Sequence, residues 1–478
     1  MTPPDDDADV DFGPAPDGLG DEDVAEYAAA VRDLPEYEPE TRFGPATPTD
    51  REDPYNAYVT PFAAESADEG PLSHLDVAVK DNLAVRGVPM TAGTDEIAFR
   101  PDEDATAVAR LWAAGATLTG TTNMDALAFG TTGETSAHGR TENPTAAGRV
   151  PGGSSSGSAA AVAGGLVDAA LGTDTGGSVR IPASFCGVVG FKPTYGLVSR
   201  HGLAPLAPSL DHVGAIAGDV ATATRVVEAV AGADPADHST LRAPAPDAVD
   251  LTSDLATPPA DLALGVVEES VDAATGDVAA AVEDAVVEVA AARDWTVETV
   301  SLPDFDAATL VNDALTVMEF AGLVSSDGHL PGAGGWYDGA WADAVREFRE
   351  RGLPANDRVR RALHLGRRLR REDGSYVRAS EARRRFAERV AAAFGQVDAL
   401  VAPTTPMVAP ELGDVPESVD VLDTLRNTAP FDNSGQPSVS VPCGRADGCP
   451  VGLQVTTLAG ADALAARVAR AVEEATGT

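Results

Sequence analysis

Lysine is almost absent from this sequence, and the two positions that keep it are the first candidates for chemistry. Of the 34 lysine and arginine residues, only Lys80 and Lys192 are lysines. An amine can lose its proton and act as a base, whereas the arginine guanidinium stays protonated. Lys80 ends the run LDVAVK, which predicts a β-strand whose apolar neighbours would desolvate the amine. The competing interpretation is an ion pair between Lys80 and Asp81, and the scarcity of lysine favours catalysis.

A second candidate is the small-residue segment RVPGGSSSGSAAAVAGG, residues 149–165, which predicts a loop that runs into a helix. Backbone N–H groups at the start of a helix suit an anion or a polarised oxygen. Taken alone the segment is a weak signal, because clusters of glycine and serine are common in ordinary loops.

The third segment is LGTDTGGSVRIPASFCG, residues 171–187. Two glycines stand directly before Ser178, so the backbone can turn tightly and direct successive N–H groups at one point, as an oxyanion hole requires. Asp174 and Arg180 flank this turn and are placed to pair and brace it. The alternative is a helix-capping turn in which Ser178 is the cap.

Together and in this order, the VKDN strand, the GGSS loop and the GTDTGGSVR turn resemble the signature of the amidase signature family. The segments GVVGFKPTYGLVSRHGLAPLAPSLDHVG, DALVAPTTP and GQPSVSVPCG are also similar to that family. The resemblance covers about residues 70–220 and 395–475 and is weak between them. It implies an α/β fold, with α/β/α layers around a large central mixed β-sheet.

The resemblance also assigns roles to the residues of these motifs. It implies that Ser178 is the nucleophile, that Ser154 is a bridging serine on a cis peptide bond, and that Lys80 is the base. It implies that Ser155 supports the lysine, and that an oxyanion hole is formed by the N–H groups of Thr175, Gly176, Gly177 and Ser178. Ser156 departs from the family, which usually has glycine there. Lys192 falls outside the triad, and we expect a structural role for it.

The chemistry that follows is amide hydrolysis through an acyl-enzyme. Neutral Lys80 draws a proton from Ser178 through the Ser154 hydroxyl, and Ser178 attacks the carbonyl carbon. The amine or ammonia leaves with a returned proton, and water then releases the carboxylate. This Ser-Lys scheme needs no metal or cofactor.

Two other interpretations start from the same residues. Residues 153–157 match G-x-S-x-G, the nucleophile elbow of α/β-hydrolases, which would need an acid and a histidine such as Asp211 with His212, or His364. That fold leaves the second glycine-serine motif and the retained Lys80 unexplained. A catalytically dead scaffold is disfavoured because the Lys-Ser-Ser set is intact.

A nearer alternative lies within the family, in the glutaminase (A) subunit of an aspartyl/glutamyl-tRNA amidotransferase, which frees ammonia from glutamine for a partner. Such subunits carry an acidic residue shortly before the proline equivalent to Pro430, and here Leu425 stands near that place. They also have a tyrosine-rich segment, whereas residues 309–325 read TLVNDALTVMEFAGLVS. These departures favour a stand-alone amidase that acts on a small-molecule amide, alone or as a homodimer.

The domain organisation follows from the alternation of short β-branched runs and alanine-rich stretches. Residues 1–20 are acidic and rich in proline and glycine, which predicts a mobile N-terminus. We expect residues 21–475 to form a single amidase domain. Three parts are expected within it: a motif core at 70–220, a helical substrate-side region at about 262–395, and C-terminal strands with a final helix at 396–475.

The formal net charge of −41 restricts the partners of the protein. Such a field repels nucleic acid and anionic membranes, so neither is expected to bind directly. The acids are spread along the chain, which favours a surface hydrated at high salt over one that recruits a basic partner. Acid-rich, lysine-poor chains of this kind resemble cytoplasmic proteins of salt-loving archaea, and no secretion signal or run of about 18 apolar residues is evident. We therefore expect a halophilic cytoplasmic enzyme.

Overall fold

The computed structural model describes residues 21–32, 46–66, 69–330, 332, 336–351, 356–413 and 421–477. The chain divides into two units, residues 1–42 and residues 43–478. The element described in the first unit is helix α1 (Asp21–Arg32), which we expect to belong to the single domain of residues 21–475. The N-terminus that we expected to be mobile, residues 1–20, lies outside the described residues.

The second unit contains a sheet of twelve described strands. Their bounds are β1 (Thr47–Pro48), β2 (Tyr58–Ala64), β3 (Asp76–Lys80), β4 (Thr117–Thr122), β5 (Ala169–Asp174), β6 (Val189–Lys192), β7 (His212–Ala217), β8 (Ala263–Val267), β9 (Thr296–Val300), β10 (Ala399–Pro403), β11 (Ser438–Ala446) and β12 (Cys449–Thr456).

The helices of the second unit connect and cover these strands. They are α2 (Thr106–Ala113), α3 (Ser156–Ala163), α4 (Arg180–Cys186), α5 (Val220–Val230), α6 (Glu268–Asp272), α7 (Gly276–Arg293), α8 (Phe305–Ser325), α9 (Gly339–Arg351), α10 (Asp357–Arg371), α11 (Ser375–Ala393), α12 (Val421–Leu425), α13 (Ala429–Ser434) and α14 (Asp462–Thr476). The predicted helical region therefore corresponds to α6 through α11, with strands β8 and β9 among its first elements.

The strand order is β1-β2-β4-β3-β5-β7-β6-β11-β12-β10-β8-β9. Strand β3 is parallel to β4 and β5, and β8 is parallel to β9 and β10. The central pairs from β5 through β7, β6, β11 and β12 to β10 are antiparallel. This confirms the large mixed sheet. Because β3 and β5 are parallel neighbours, Lys80 and Asp174 at their carboxyl ends lie at the same edge of the sheet.

Alternate strand residues enter two separate cores, because successive side chains of a strand point to opposite faces of the sheet. Val77 and Val79 pack in one buried cluster, and Ala78 between them packs in another. The first cluster includes apolar residues of α5, α7 and α14, and the second includes those of α3 and α4. Helices therefore cover both faces, as the α/β/α expectation requires.

Helix α8 is long and apolar enough to cross a membrane by length and composition alone. However, 67% of its most apolar window is buried inside the protein. It packs against α10, α11 and α13, so we interpret it as a core helix of the region that faces the candidate site.

Candidate active site

Lys80 is fully buried at the end of β3. Its Nζ lies 2.8 Å from Ser154 Oγ and 2.8 Å from Thr173 Oγ1. Burial lowers the pKa of Lys80 to about 7, although the carboxylates of Asp125, Asp174 and Asp211 oppose this shift. An amine in this environment is neutral for much of the time near neutral pH, as a base must be.

The ion pair considered for Lys80 and Asp81 is not formed. The Asp81 carboxylate instead accepts hydrogen bonds from the backbone N–H and the hydroxyl of Thr91. Burial raises the pKa of Asp81 to about 7. Lys80 and Asp81 are adjacent in the chain, but their ionisable groups lie in different surroundings. The Lys80 amine contacts Ser154, and the Asp81 carboxylate contacts Thr91.

Ser154 follows a cis peptide bond with Gly153, as the family resemblance implied. The next residue joins this loop to the glycine turn, since Ser155 N–H donates to Ser178 O at 3.3 Å. Ser155 Oγ bonds to the backbone of Thr173 and not to the lysine. Any support that Ser155 gives to Lys80 therefore passes through Thr173.

The Asp174–Arg180 pair expected from the sequence is present, and it is larger than expected. Arg180 Nη2 lies 2.9 Å from Asp174 Oδ1 and 2.5 Å from Asp432 Oδ2. The Asp174 carboxylate also accepts from Val179 N–H, which closes the turn after Ser178. Arg180 holds the pKa of Asp174 well below its usual range. This buried pair ties the turn to α13, 252 residues further along the chain.

Three polar residues of the lysine's surroundings were missed by the sequence analysis. Thr173 bonds to Lys80, and Asn82 Nδ2 donates to the same Thr173 hydroxyl at 3.1 Å. Asp125 N–H donates to Ser154 O, while its carboxylate binds the N–H groups of residues 132, 133 and 135. Asn82 belongs to the VKDN motif and Thr173 to the GTDTGGSVR motif, and this membership was the signal that the sequence offered.

The residues of the α/β-hydrolase alternative are not arranged as a triad. Ser155, which would be the nucleophile of the elbow, bonds to Thr173, and no described histidine contacts it. His212 is buried with its Nδ1 3.2 Å from the Asp174 carbonyl, and Asp211 accepts from the Thr175 hydroxyl. His364 is exposed on α10.

Lys192 is fully buried at the end of β6, near the predicted oxyanion turn (residues 174–178) but outside the predicted triad. Its Nζ donates to Gln436 O and lies 3.5 Å from His212 Nε2. Burial lowers the pKa of Lys192 to about 8. Within the described part of the chain, no group of three His, Cys, Asp or Glu residues is placed to hold a metal ion.

The comparisons with known proteins agree with this arrangement. The family model described as Amidase matches residues 56–465. The chain is similar to the A subunit of the glutamyl-tRNA(Gln) amidotransferase from Natronomonas pharaonis, with 42% identity over 408 residues, 84% of this chain and 95% of that one. It is also similar in structure to the corresponding A subunit from Thermotoga maritima (32% identity, TM-score 0.73, 88% and 86% covered). The peptide amidase of Stenotrophomonas maltophilia gives 33% identity and a TM-score of 0.70, with 86% and 84% covered.

The fold and these relatives define an enzyme that acts on amide C–N bonds. The chain belongs to the amidase family. The preference for a stand-alone amidase is not supported by the curated relatives, because those with 38–42% identity are amidotransferase A subunits. Similarity therefore favours the alternative that the sequence analysis placed second.

Proposed function

We propose that the protein hydrolyses a carboxamide through an acyl-enzyme on Ser178, with Lys80 as the base and Ser154 as the relay between them. The observation that carries this proposal is the 2.8 Å contact between the buried Lys80 amine and the Ser154 hydroxyl. Ser154 and Ser178 belong to loops that are joined by the hydrogen bond from Ser155 N–H to Ser178 O.

The proposed proton transfers use this arrangement. Neutral Lys80 accepts the proton of Ser154, which accepts that of Ser178, and Ser178 Oγ attacks the amide carbon. The N–H groups of residues 175–178 stabilise the oxyanion. The relay then returns a proton to the leaving nitrogen, and the reverse sequence with water releases the carboxylate and frees Ser178.

For the substrate, we propose glutamine, with the protein acting as the ammonia-supplying A subunit of a glutamyl-tRNA amidotransferase. The relatives named above support this assignment. A second observation is Arg358 at the start of α10, whose Nη1 is buried and has no partner among the described residues. The nearby Asn356 donates to Thr135 O, and Thr135 bonds to the Asp125 carboxylate beside Ser154. A buried guanidinium N–H group without a protein partner suits a substrate carboxylate.

A second candidate is a stand-alone amidase for an apolar amide, and a specific observation favours it. An apolar pocket adjoins Asn82, which bonds to the same Thr173 hydroxyl as the lysine. The cavity wall is apolar and includes Met124, Leu127, Phe320, Trp341 and Phe348. Leu425 also lies against Gly176 of the oxyanion turn, where a glutamine-binding subunit would have an acid.

One experiment separates the two candidates. Ammonia release is measured in molar KCl from glutamine and from hexanamide, with the purified protein alone and with the other subunits of such an amidotransferase. Glutaminase activity that appears with the other subunits, and that Arg358→Gln weakens through a higher KM, supports the first candidate. Efficient hydrolysis of hexanamide by the protein alone, unaffected by Arg358→Gln, supports the second. Loss of all activity in Ser178→Ala is required by both.

A further inference from the structure

Each backbone carbonyl of the oxyanion turn, residues 174–178, accepts a hydrogen bond from a neighbouring part of the structure. Asp174 O accepts from His212 Nδ1 at 3.2 Å, and Thr175 O accepts from Asn312 Nδ2 at 3.0 Å. Gly176 O accepts from Thr428 Oγ1 at 2.6 Å. The next two carbonyls, of residues 177 and 178, accept from the N–H groups of residues 181 and 155. The three side-chain donors come from β7, from α8 and from the residue that precedes α13.

The N–H groups of the same turn are free. Within the described residues, no acceptor is found for the N–H groups of residues 175–178. A peptide group is planar and trans, so its N–H points away from its C=O. Fixing the carbonyls of residues 174, 175 and 176 therefore fixes the direction of the N–H groups of residues 175, 176 and 177. Glycine at 176 and 177 leaves this backbone without a side chain to restrict it, and Gly177 has a φ of 141°.

We propose that His212, Asn312 and Thr428 are positioning residues that orient the oxyanion hole through its carbonyls. This inference rests on the proposed function, because it assumes that the turn stabilises an oxyanion. Electrostatic stabilisation needs donors that are fixed before the reaction. The three donors supply that rigidity from elements far apart in the sequence, since Thr428 and Gly176 are 252 residues apart.

The same arrangement gives Lys192 a role. His212 uses Nδ1 to donate to Asp174 O, so its Nε2 is the acceptor that faces the Lys192 ammonium. Lys192 acts through His212 by holding the ring in this tautomer. Burial and the adjacent ammonium keep the pKa of His212 well below its usual value, which keeps the ring neutral. The other charged groups that act on this ring are Asp174 and Arg180, together with Asp432, whose Oδ1 lies 3.5 Å from Nδ1.

The test uses a probe that does not depend on the identity of the amide. An alkyl fluorophosphonate reacts with an activated serine, whose oxygen bonds to phosphorus as fluoride leaves and the serine proton passes to the base. Thr428→Val removes the hydroxyl that donates to Gly176 O and changes the shape of the side chain little. Thr428→Ser keeps that hydroxyl. Thr224→Val is the matched control, because Thr224 is also fully buried and donates to a backbone carbonyl, within α5.

We expect Thr428→Val to lower the maximal labelling rate by about 10- to 100-fold, less than the loss of a whole oxyanion donor, and to leave the probe's KI within about twofold. Asn312→Leu should behave in the same way, and Thr428→Ser and Thr224→Val should label like the wild type. Equal labelling of Thr428→Val, Asn312→Leu and Thr224→Val would overturn the positioning role but would leave the proposed function standing. A wild type that is not labelled at Ser178 would overturn the proposed function, and this inference with it.

Discussion

Lys80 and Ser154 are 74 residues apart in the chain, and the Lys80 amine nitrogen lies 2.8 Å from the Ser154 hydroxyl oxygen. Both side chains are fully buried. Strand β3 places the amine in the interior, and the loop before α3 brings the hydroxyl to it, so that the base is desolvated and bonded to its relay. The proposed chemistry depends on both conditions.

The pH dependence of the reaction tests the desolvation of the lysine. Because burial lowers the pKa of Lys80 to about 7 and the neutral amine is the active form, kcat/KM should rise as the pH increases through about 7. Lys80→Arg should lose about 10²- to 10⁴-fold in kcat/KM, since a guanidinium cannot serve as the base. Steady-state ammonia release from about pH 5 to about pH 10 measures both effects.

The control for this profile is Asp81→Asn, since burial also raises the pKa of Asp81 to about 7. The inflection should remain in this variant if it reports the lysine. An inflection that disappears with Asp81 would assign it to the carboxyl group instead.

Thr173 bonds to Lys80, Asn82 and Ser155. Its hydroxyl should contribute more to stability and to the pH profile than its methyl group. Thr173→Val removes the acceptor shared by Lys80 and Asn82. We expect a loss of stability of about 1–3 kcal/mol from the unpaired polar groups, together with a shifted inflection in the pH profile. Thr173→Ser should retain both properties. Chemical denaturation with pH–rate measurements checks this, and a Val variant with an unshifted profile would limit Thr173 to a structural role.

The buried pairs of Arg180 should dominate the stability of the site. Arg180→Met leaves Asp174 and Asp432 buried without their partner, and we expect a loss of about 3–5 kcal/mol in the free energy of unfolding. Arg351→Met is the matched control, because it breaks an exposed pair with Glu347 on α9 and should change little. Denaturation at high KCl compares the two variants. Similar losses in both would argue against a central role for the buried pairs.

The acidic surface predicts that the protein needs salt. With a net charge of −41, self-repulsion is screened at molar KCl and grows as the salt is removed. The melting temperature and the activity should therefore both fall between about 1 M and about 0.1 M KCl, where the screening length increases about threefold. Full activity and an unchanged melting temperature at low salt would contradict the halophilic interpretation.

The local motifs were sufficient to predict much of the fold and the centre of the candidate site. The alternation of strand-like and helical segments indicated a layered α/β domain, and the family resemblance supplied the large mixed sheet. Lysine scarcity singled out Lys80 and the double glycine singled out the turn at Ser178, while the roles proposed for both residues came from the resemblance. These signals are local, because a strand end and a tight turn each depend on a few adjacent residues.

The parts that could not be predicted depend on contacts between distant segments. Asn312 and Thr428 reach the oxyanion turn from 137 and 252 residues away, and nothing around either residue marks it as a donor to that turn. Asp432, the second partner of Arg180, is also 252 residues away in the chain, and no motif around it indicates this pairing. The identity of the substrate also depends on such contacts, since Phe320, Trp341 and Arg358 come from the segment with the weakest resemblance.

The most direct test of the central claim is to locate the serine that forms the covalent bond. After reaction with a fluorophosphonate, cleavage at Arg149 and Arg180 releases residues 150–180, which contain Ser154, Ser155 and Ser178 in one peptide. Tandem mass spectrometry of this peptide should place the adduct on Ser178 in the wild type and find none in Lys80→Ala. An adduct on Ser155, or labelling that persists at full rate without Lys80, would contradict the account.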